Sequence, residues 1–232
     1  MLEAVTSPGA TAAAIIEGTR ARIPPIYLKG APATLEPLLH ELINRLRRDH
    51  GITEVHAGAP SDSLYNFYCQ RMGMSLWAEI VTYERPVLNH VPGSKSAALV
   101  RPVTDADRGA LLPLAGSAEH LANLTGLAAQ YPSRFMVAEK DQTVAGYALS
   151  YRDGQVCQFK SLVVDPTWRR SGIGWDLTRD AVQWFDQLGL PSALRPQVDN
   201  TAARRLYEAF GYQPAGQIRM VHTRWGSHSQ EE

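Results

Sequence analysis

The chain has 232 residues, of which 44% are hydrophobic and 20% are charged, and its formal net charge at pH 7 is zero. This composition is ordinary for a soluble globular protein, and the balanced charge gives no general attraction to nucleic acid or to a membrane surface, so neither is predicted as a partner. No stretch approaches the ~20 consecutive apolar residues that span a bilayer.

Two cysteines, Cys69 and Cys157, lie far apart and do not form the pattern of a disulfide-rich secreted domain. The first twenty residues lack the basic segment and the long apolar core of a signal peptide. We therefore predict a cytoplasmic protein with two reduced thiols, and no metal site is predicted.

The first half of the chain contains a helix, Gly51, a strand, a turn, an aromatic-rich helix, Gly73 and a strand. The same order returns later around Gly189 and Gly211. This echo predicts that residues 1–92 contain a partial copy of the back portion of the second half. The alternative, that any helix–glycine–strand unit resembles another, stays open.

A stretch rich in Pro, Gly and Ser runs from Leu88 to Ala98. It predicts a linker near residues 90–98 and a boundary between a domain at 1–92 and a domain at 93–232. The short polar tail after Trp225 is predicted to be disordered.

The second half alternates between strand and helix patterns. Thr104 is a good helix cap, with Asp105 and Asp107 in the first turn that follows. The predicted elements are a strand at 98–104, helices at 104–115 and 116–130, three antiparallel strands between 134 and 165, a helix at 174–188, a strand at 192–198, a short helix at 200–211 and a last strand at 216–225. This order predicts an α/β sheet that is antiparallel early and has one parallel crossover around the helix at 174–188.

A glycine-rich turn joins the strand that ends at Val164 to the helix at 174–188. The first amide groups of a helix have no partner within it, and they point toward the positive end of the helix dipole, where anions bind. Gly172 and Gly174 would let a phosphate approach the backbone, and Arg169 and Arg170 can add charge-assisted hydrogen bonds. The alternative is a simple turn with solvated arginines. Neither the Walker pattern nor the dinucleotide-binding pattern of glycines is present.

The segment Arg169-Arg170-Ser171-Gly172-Ile173-Gly174 resembles the Arg/Gln-x-x-Gly-x-Gly/Ala motif of the GNAT-type acyl-CoA-dependent N-acetyltransferases. The preceding "LVVDPTWR" resembles the end of that family's fourth strand, and "NTAARRLYEAFGY" resembles its second signature. The resemblance covers about Ala98 to Arg224. It implies a GNAT-like, mixed but mostly antiparallel sheet flanked by helices, with a degenerate partial repeat at the N-terminus.

The resemblance also implies a site for acetyl-CoA. The pyrophosphate would lie on the amides of Arg170–Gly174, and the pantetheine arm along Leu162–Val164, where this strand splays from its neighbour. An N–H near Val163 would polarise the thioester, and Tyr207, after a modest fall in its pKa, would protonate the leaving thiolate. The implied cofactor-binding residues are Leu162, Val163, Val164, Arg169, Arg170, Ser171, Gly172, Ile173, Gly174, Asn200, Ala203 and Tyr207.

The general base is not assigned by the sequence. Many family members have a glutamate on the fourth strand, but here that strand reads "QVCQFKSLVV" and carries no carboxylate. The candidates are Glu119, His120, Glu139 and a chain of water molecules. Cys157 as an acyl carrier is disfavoured, because direct transfer is the usual chemistry of the fold.

The first half departs further from the family. Its segment "YLKGAPATLEPLL" keeps Gly30 but has no Arg-x-x-Gly-x-Gly, and Pro32 removes an amide donor. Residues 20–90 are therefore predicted not to hold CoA. Four aromatic residues either line the wall of a substrate cleft or pack in the core: Tyr65, Tyr68, Trp77 and Tyr83.

The predicted reaction is transfer of an acetyl group from acetyl-CoA to a primary amine of a small molecule, an antibiotic-type metabolite or a peptide N-terminus. Asp105, Asp107 and Glu119 are too few for a strongly cationic acceptor, which favours a neutral or hydrophobic one. The alternatives are a non-catalytic acyl-CoA sensor or scaffold, and a longer acyl donor. The tandem arrangement predicts either a monomer that imitates a family dimer within one chain or a homodimer.

Overall fold

The computed structural model describes residues 1–24, 28–88 and 90–225, which divide into two compact units. The N-terminal unit contains the described residues of Met1–Val81, Gln197–Asp199 and the segment from Gly216 to Trp225. The C-terminal unit contains Thr82–Pro196 and Asn200–Ala215. The tail after Trp225, for which disorder is predicted, lies outside the described residues.

The N-terminal unit is a sheet with two helices. Its elements are β1 (Leu2–Ser7), β2 (Ala10–Glu17), β3 (Arg20–Ile23), α1 (Pro32–His50), β4 (Glu54–Ala59), α2 (Asp62–Arg71), the start of β5 (Ser75–Arg85) and most of β11 (Gln213–Arg224). The strand order includes β1-β2-β3-β4-β11, in which β3 and β4 are parallel and the other three pairs are antiparallel. Leucines at helical spacing on α1 fill the core against alternate residues of these strands.

Strands β1 to β3 are elements that the sequence patterns did not predict. The segment "ATAAAIIE" is rich in alanine, which favours helices over strands, so its local preference hides β2. The available signal was the turn at Pro8-Gly9, where Gly9 has a φ of +79°. A positive φ at glycine is typical of the tight turns that join antiparallel strands.

The C-terminal unit follows the predicted element order. Its elements are β6 (Leu99–Pro102), α3 (Arg108–Ala115), α4 (Ala118–Gln130), β7 (Ser133–Lys140), β8 (Thr143–Asp153), β9 (Val156–Val164), α5 (Ile173–Leu188), β10 (Ser192–Leu194) and α6 (Thr201–Ala209). The strand order is β5-β10-β9-β8-β7-β6. β9 and β10 are parallel across α5 and the other pairs are antiparallel, as predicted. α3 and α4 cover the face that carries Val137, Tyr147 and Leu149.

Several elements are shorter than predicted, and two of these differences have a clear local cause. The helix predicted from Thr104 starts as a single 3-10 turn, Asp105–Asp107, before α3 begins. The carboxylate of Asp107 accepts hydrogen bonds from the backbone N–H and the hydroxyl of Thr104 at 2.7 and 2.9 Å, which fixes this tight turn. β10 ends at Leu194 instead of residue 198, because Pro196 has no N–H to continue the ladder.

The final strand of each half of the sequence pairs outside its own half. Tyr83, Glu84 and Arg85 of β5 pair with β10 in the C-terminal unit. Residues 219–224 of β11 pair with β4 in the N-terminal unit. The two compact units therefore do not follow the boundary at 92/93 that composition predicts, and that division into domains stays a prediction.

Arg85 is the residue that fixes the end of β5 within the C-terminal unit. Its side chain is 1% exposed and forms a bidentate ion pair with Asp186 of α5, at 2.8 and 2.9 Å. The Nε group donates to the carbonyl of Phe210 at 2.7 Å. Asp186 also accepts from the N–H of Leu88, so one buried pair joins β5, α5 and the turn after α6.

Both cysteines are free thiols, and Cys157 is buried. In the described part of the chain, no helix has the length and apolar character needed to cross a membrane.

We expect Arg85→Ala to lower the free energy of unfolding by about 3–5 kcal/mol, because it leaves the carboxylate of Asp186 buried without its partner. Urea denaturation followed by circular dichroism measures this change. The double variant Arg85→Met/Asp186→Leu should recover most of the loss, since it removes both charges. Equal loss in the single and double variants would contradict this account of the ion pair.

Candidate functional site

The central feature of the C-terminal unit is the separation of the parallel strands β9 and β10. β10 pairs with β9 only from Cys157 to Phe159. β9 continues to Val164 and there pairs with β8 alone among the described strands. The extra residue Lys160 forms a bulge at the point of separation. Among the described strands, none other than β8 pairs with Ser161 to Val164, and backbone groups on such an open edge can bind an extended ligand.

A compact turn connects this strand to α5. A 3-10 turn, Pro166–Trp168, follows β9, and the hydroxyl of Ser171 donates to the carbonyl of Trp168 at 2.6 Å. Arg170 and Gly172 have φ angles of +63° and +87°. Turns of this kind direct successive N–H groups into one concavity that suits an anion. Among the described residues, no side chain caps the N-terminus of α5, and Arg169 and Arg170 beside it are exposed.

The structure adds a packing reason for glycine at position 172. A Cβ atom there would lie 2.6 Å from the carbonyl oxygen of Lys95. Glycine is therefore required by the close approach of the Lys95 backbone and by the positive φ, while the approach of a phosphate to this position stays a prediction. At Gly174 a Cβ would meet only ordinary contacts, the nearest being Val164 Cγ2 at 3.4 Å.

Within the predicted linker at 90–98, residues 94–96 are hydrogen-bonded to the start of α5, and we call these three residues the strap. The buried carboxylate of Asp176 accepts from the N–H groups of Lys95 and Ser96 at 2.9 and 2.8 Å, and from the hydroxyls of Ser94 and Ser96. Burial alone would raise the pKa of Asp176, but these hydrogen bonds outweigh it and hold the pKa below its usual value. The strap places the ammonium group of Lys95 3.2 Å from the ring centre of Trp175, in the first turn of α5.

The predicted strand, loop and α6 residues meet at Gly174. A Cβ at this position would contact Val164, Leu162 at 4.0 Å and Leu206 at 3.7 Å. Leu206 directly precedes Tyr207 on α6. Asn200 caps α6, where its side-chain oxygen accepts from the N–H of Ala203 at 3.1 Å. Because the side-chain oxygen is used in this cap, Asn200 would bind a ligand by donating from its side-chain amide nitrogen.

Tyr207 is more deeply buried than its predicted role suggests. It is 8% exposed and packs edge-on against Phe159, with 5.7 Å between ring centres. Burial raises the pKa of Tyr207 to about 12, so the modest fall predicted from the sequence is wrong in direction. The hydroxyl keeps its proton at any ordinary pH and can donate a hydrogen bond.

The carboxylates proposed as the base have different environments. Glu139 of β7 forms an ion pair with Arg101 at 2.8 Å, and Arg101 also binds Asp107. Glu119 and His120 are exposed in the first turn of α4. Burial raises the pKa of the Cys157 thiol to about 11, which makes it a poor nucleophile near neutral pH.

The four aromatic residues of the first half have different environments. Tyr68 is fully buried in the core of the N-terminal unit. Tyr83 is fully buried in the C-terminal unit, where its hydroxyl donates to Glu208 at 2.7 Å. Core packing is therefore the correct alternative for these two. Trp77 is 52% exposed, and the guanidinium of Arg219 lies over the ring of the half-buried Tyr65.

Sequence reasoning missed Asp176 and the strap residues Lys95 and Ser96. The available signal was that Asp176 shares the buried helix face of Ile173 and Leu177, where a carboxylate needs a partner. Nothing in the composition of the strap distinguishes it from a flexible linker, because its serine and backbone donors become specific only beside Asp176.

Comparison with known proteins agrees with this arrangement. Residues 108–212 match the model of the Acetyltransferase (GNAT) family. A Bacillus subtilis (strain 168) protein, named as an N-acetyltransferase of the alanine of ribosomal protein bS18, is 31% identical over 85 residues. That alignment covers 36% of this chain and 56% of the relative, little more than half of its length.

Solved structures are similar over nearly the whole chain. A GCN5-related N-acetyltransferase from Sphaerobacter thermophilus has a TM-score of 0.75 at 13% identity, covering 94% of this chain and 78% of that one. A tandem GNAT protein from the clavulanic acid biosynthesis pathway has a TM-score of 0.70 at 14% identity, covering 99% and 84%. At these identities the likeness is one of fold, and the tandem structure supports the predicted repeat.

We expect Gly172→Ala to lower the free energy of unfolding by about 1–3 kcal/mol, because a side chain at positive φ is strained and meets the Lys95 backbone. Gly174→Ala is the matched control in the same turn, and it should change stability by less than about 1 kcal/mol. Urea denaturation of both variants measures the difference. Similar stabilities for the two would show that the strap does not need glycine at 172.

Proposed function

We propose that this protein transfers an acetyl group from acetyl-CoA to a primary amine, because residues 108–212 match the model of the GNAT acetyltransferase family. The observation that carries the proposal is the separation of β9 from β10 directly before the uncapped N-terminus of α5. One end of this site suits a diphosphate, and the strand edge beside it suits an amide-bearing arm.

The residues present fit acetyl-CoA. Unpaired amides at the start of α5 and the exposed Arg169 and Arg170 would bind the pyrophosphate. Lys95, which the strap holds over Trp175, would add a third positive charge. The open edge of β9 at Leu162–Val164 would exchange backbone hydrogen bonds with the pantetheine arm, and Asn200 would contribute its amide nitrogen.

The chemistry at the end of this arm is acyl transfer. The neutral amine attacks the thioester carbonyl carbon, a C–N bond forms, the C–S bond breaks, and the nitrogen loses one proton. An N–H of β9 near Val163 would stabilise the negative charge that develops on the carbonyl oxygen. Positioning the two reactants in one site removes much of the entropic cost of their encounter.

Tyr207 would act on the departing sulfur. An ordinary thiol has a pKa near 8.5, so full proton transfer from a phenol with a pKa of about 12 is uphill. The tyrosine would therefore stabilise the thiolate mainly by donating a hydrogen bond, and the thiolate would take its proton from solvent after release.

A second function, acyl-CoA binding without catalysis, is favoured by the lack of an evident general base. β9 has no carboxylate, Glu139 is paired with Arg101, and Glu119 is exposed. An enzyme with this site would need either an acceptor that is already neutral or a water chain as the base.

Asp107 bears on the class of acceptor. Its carboxylate is buried and bound by Arg101, and Arg101 is the main cause of a pKa well below the usual range. It therefore adds little to the attraction of a cation, which leaves Asp105 and Glu119 as the exposed acids of the set predicted to face the substrate. We propose a neutral or weakly basic primary amine. The name of the Bacillus subtilis relative makes a peptide with N-terminal alanine the first acceptor to test.

Release of free thiol from acetyl-CoA, measured with an amine panel, tests this proposal. The panel contains an alanyl peptide, an amino sugar, an aminoglycoside and an uncharged arylamine. Amine-dependent thiol release is expected for at least one neutral or weakly basic member. Tight acetyl-CoA binding without release for any amine would instead support the binding function.

We expect Tyr207→Phe to lower kcat by about 100-fold with little change in the Kd of acetyl-CoA. The pKa of Tyr207 is raised, so the neutral form persists, and kcat should not fall between pH 8 and 10 through loss of this proton. Tyr131→Phe, which removes a tyrosine hydroxyl at the C-terminal end of α4 in the same unit, is the control. An alkaline fall in kcat that disappears in Tyr207→Phe would contradict the raised pKa.

The double variant Arg169→Gln/Arg170→Gln should raise the Kd of acetyl-CoA by at least about tenfold, because it removes charge-assisted hydrogen bonds to the diphosphate. Isothermal titration calorimetry measures the change, and its size should diminish at high salt. Arg22→Gln, on β3 of the N-terminal unit, is the control. An unchanged Kd in the double variant would remove these arginines from the site.

A further inference from the structure

The N-terminal unit brings together three side chains that the sequence did not connect. Glu54 and His56 are two residues apart on β4, so their side chains share one face of the sheet. The register of β11 places His222 directly opposite His56. We propose that Glu54, His56 and His222 form a zinc-binding site, a property of this unit separate from acetyl transfer. This reverses the expectation from the sequence that the protein has no metal site.

The distances among the three side chains suit one ion. Oε1 of Glu54 lies 3.1 Å from Nε2 of His56 and 3.4 Å from Nδ1 of His222. One ligand atom from each residue lies within 4.8 Å of the other two. Ligands at about 2.0–2.1 Å from a tetrahedral zinc ion are about 3.3 Å from one another. The Glu54–His56 and Glu54–His222 separations match this value. The third separation, between the nitrogens of the two imidazoles, is at most 4.8 Å and would shorten on rotation of the rings.

The donor set and the exposure also favour zinc. Two imidazole nitrogens and a carboxylate oxygen form a set that zinc uses with a fourth, open position for water. Glu54 is buried, whereas His56 and His222 are partly exposed, so an ion can enter from solvent. The ring of Trp77 packs edge-on against His56 at 4.8 Å and restricts the orientation of that imidazole.

Two arginines compete with a metal for the carboxylate. Arg20 lies 3.1 Å from Oε2 of Glu54, and Arg224 lies 2.8 Å from Oε1. Their side chains are 60% and 65% exposed, and ion pairs with such exposed partners contribute little. Both arginines can turn into water when an ion binds. Their charge lowers the affinity of the site, which predicts that removing Arg224 strengthens metal binding.

A bound ion would join β11 to β4. Residues 219–224 of β11 pair with β4, and a ligand on each strand would hold this register. Since the three ligands are assembled only in the folded unit, binding stabilises the fold and raises the unfolding midpoint. The bound ion would therefore stabilise the pairing of β11 with β4 in the N-terminal unit.

Cobalt(II) as a spectroscopic probe and zinc(II) in competition test the proposal on untagged, EDTA-treated full-length protein. We expect one equivalent to bind with the visible absorption of tetrahedral cobalt and to raise the unfolding midpoint. His56→Gln and His222→Gln should each weaken binding by about tenfold or more, while Arg224→Gln tightens it. His50→Gln is the matched control, because His50 lies in the same unit and contacts one glutamate, Glu3, at 3.3 Å.

Circular dichroism without metal establishes that each variant is folded before the titrations are compared. Absence of cobalt absorption in the wild-type protein would overturn the proposal. Absorption that persists in the double variant His56→Gln/His222→Gln would also overturn it, because the ion would then be held elsewhere. Neither result depends on enzymatic activity, so the test is independent of the acetyl-transfer proposal.

Discussion

The separation of β9 from β10 is the constraint on which the C-terminal unit depends. Parallel strands normally keep their ladder, since an unpaired backbone group that is removed from water is costly. Here the ladder stops at Phe159 and Leu194, although β9 extends five residues further. β8 holds the extension from the other side, and Gly146 permits this because a Cβ there would lie 2.6 Å from the carbonyl of Val163. The resulting open edge leads directly to the turn before α5.

The start of α5 has two requirements for hydrogen bonding that oppose each other. A diphosphate needs exposed amides there, yet Asp176 on the same first turns is buried and needs hydrogen-bond donors. The strap at 94–96 resolves this conflict by donating two N–H groups and two hydroxyls to the carboxylate, so that the aspartate does not bind the amides itself. The same strap brings Lys95 beside Trp175 and makes glycine necessary at position 172. The observed structural roles and the proposed ligand-binding roles therefore fall on neighbouring residues of one turn.

The absence of a carboxylate on β9 gives the proposed chemistry its particular form. Tyr207 keeps its proton because it is buried, and it suits hydrogen bonding to sulfur better than full proton transfer. Removal of the amine proton would then fall to water or to the acceptor itself, which agrees with a weakly basic amine. The zinc-binding proposal concerns the other unit, where polar residues on adjacent strands meet on one sheet face. Each unit thus carries its own testable chemistry.

The sequence by itself determined the order of elements from β6 to β11, the parallel crossover at α5 and the family resemblance, because periodicity, glycine stops and short motifs are local signals. It also located the residues that meet at Gly174. It did not reveal β1 to β3, whose alanine-rich strand has a helical preference, or the pairing of β5 with β10 and of β11 with β4. Tertiary structure alone decided that Glu139 is bound by Arg101, that Asp176 is bound by the strap, and that Tyr207 is buried. The physical reason is the same in each case: a pKa, an ion pair or a strand partner depends on groups far away in sequence, and these become neighbours only when the chain folds.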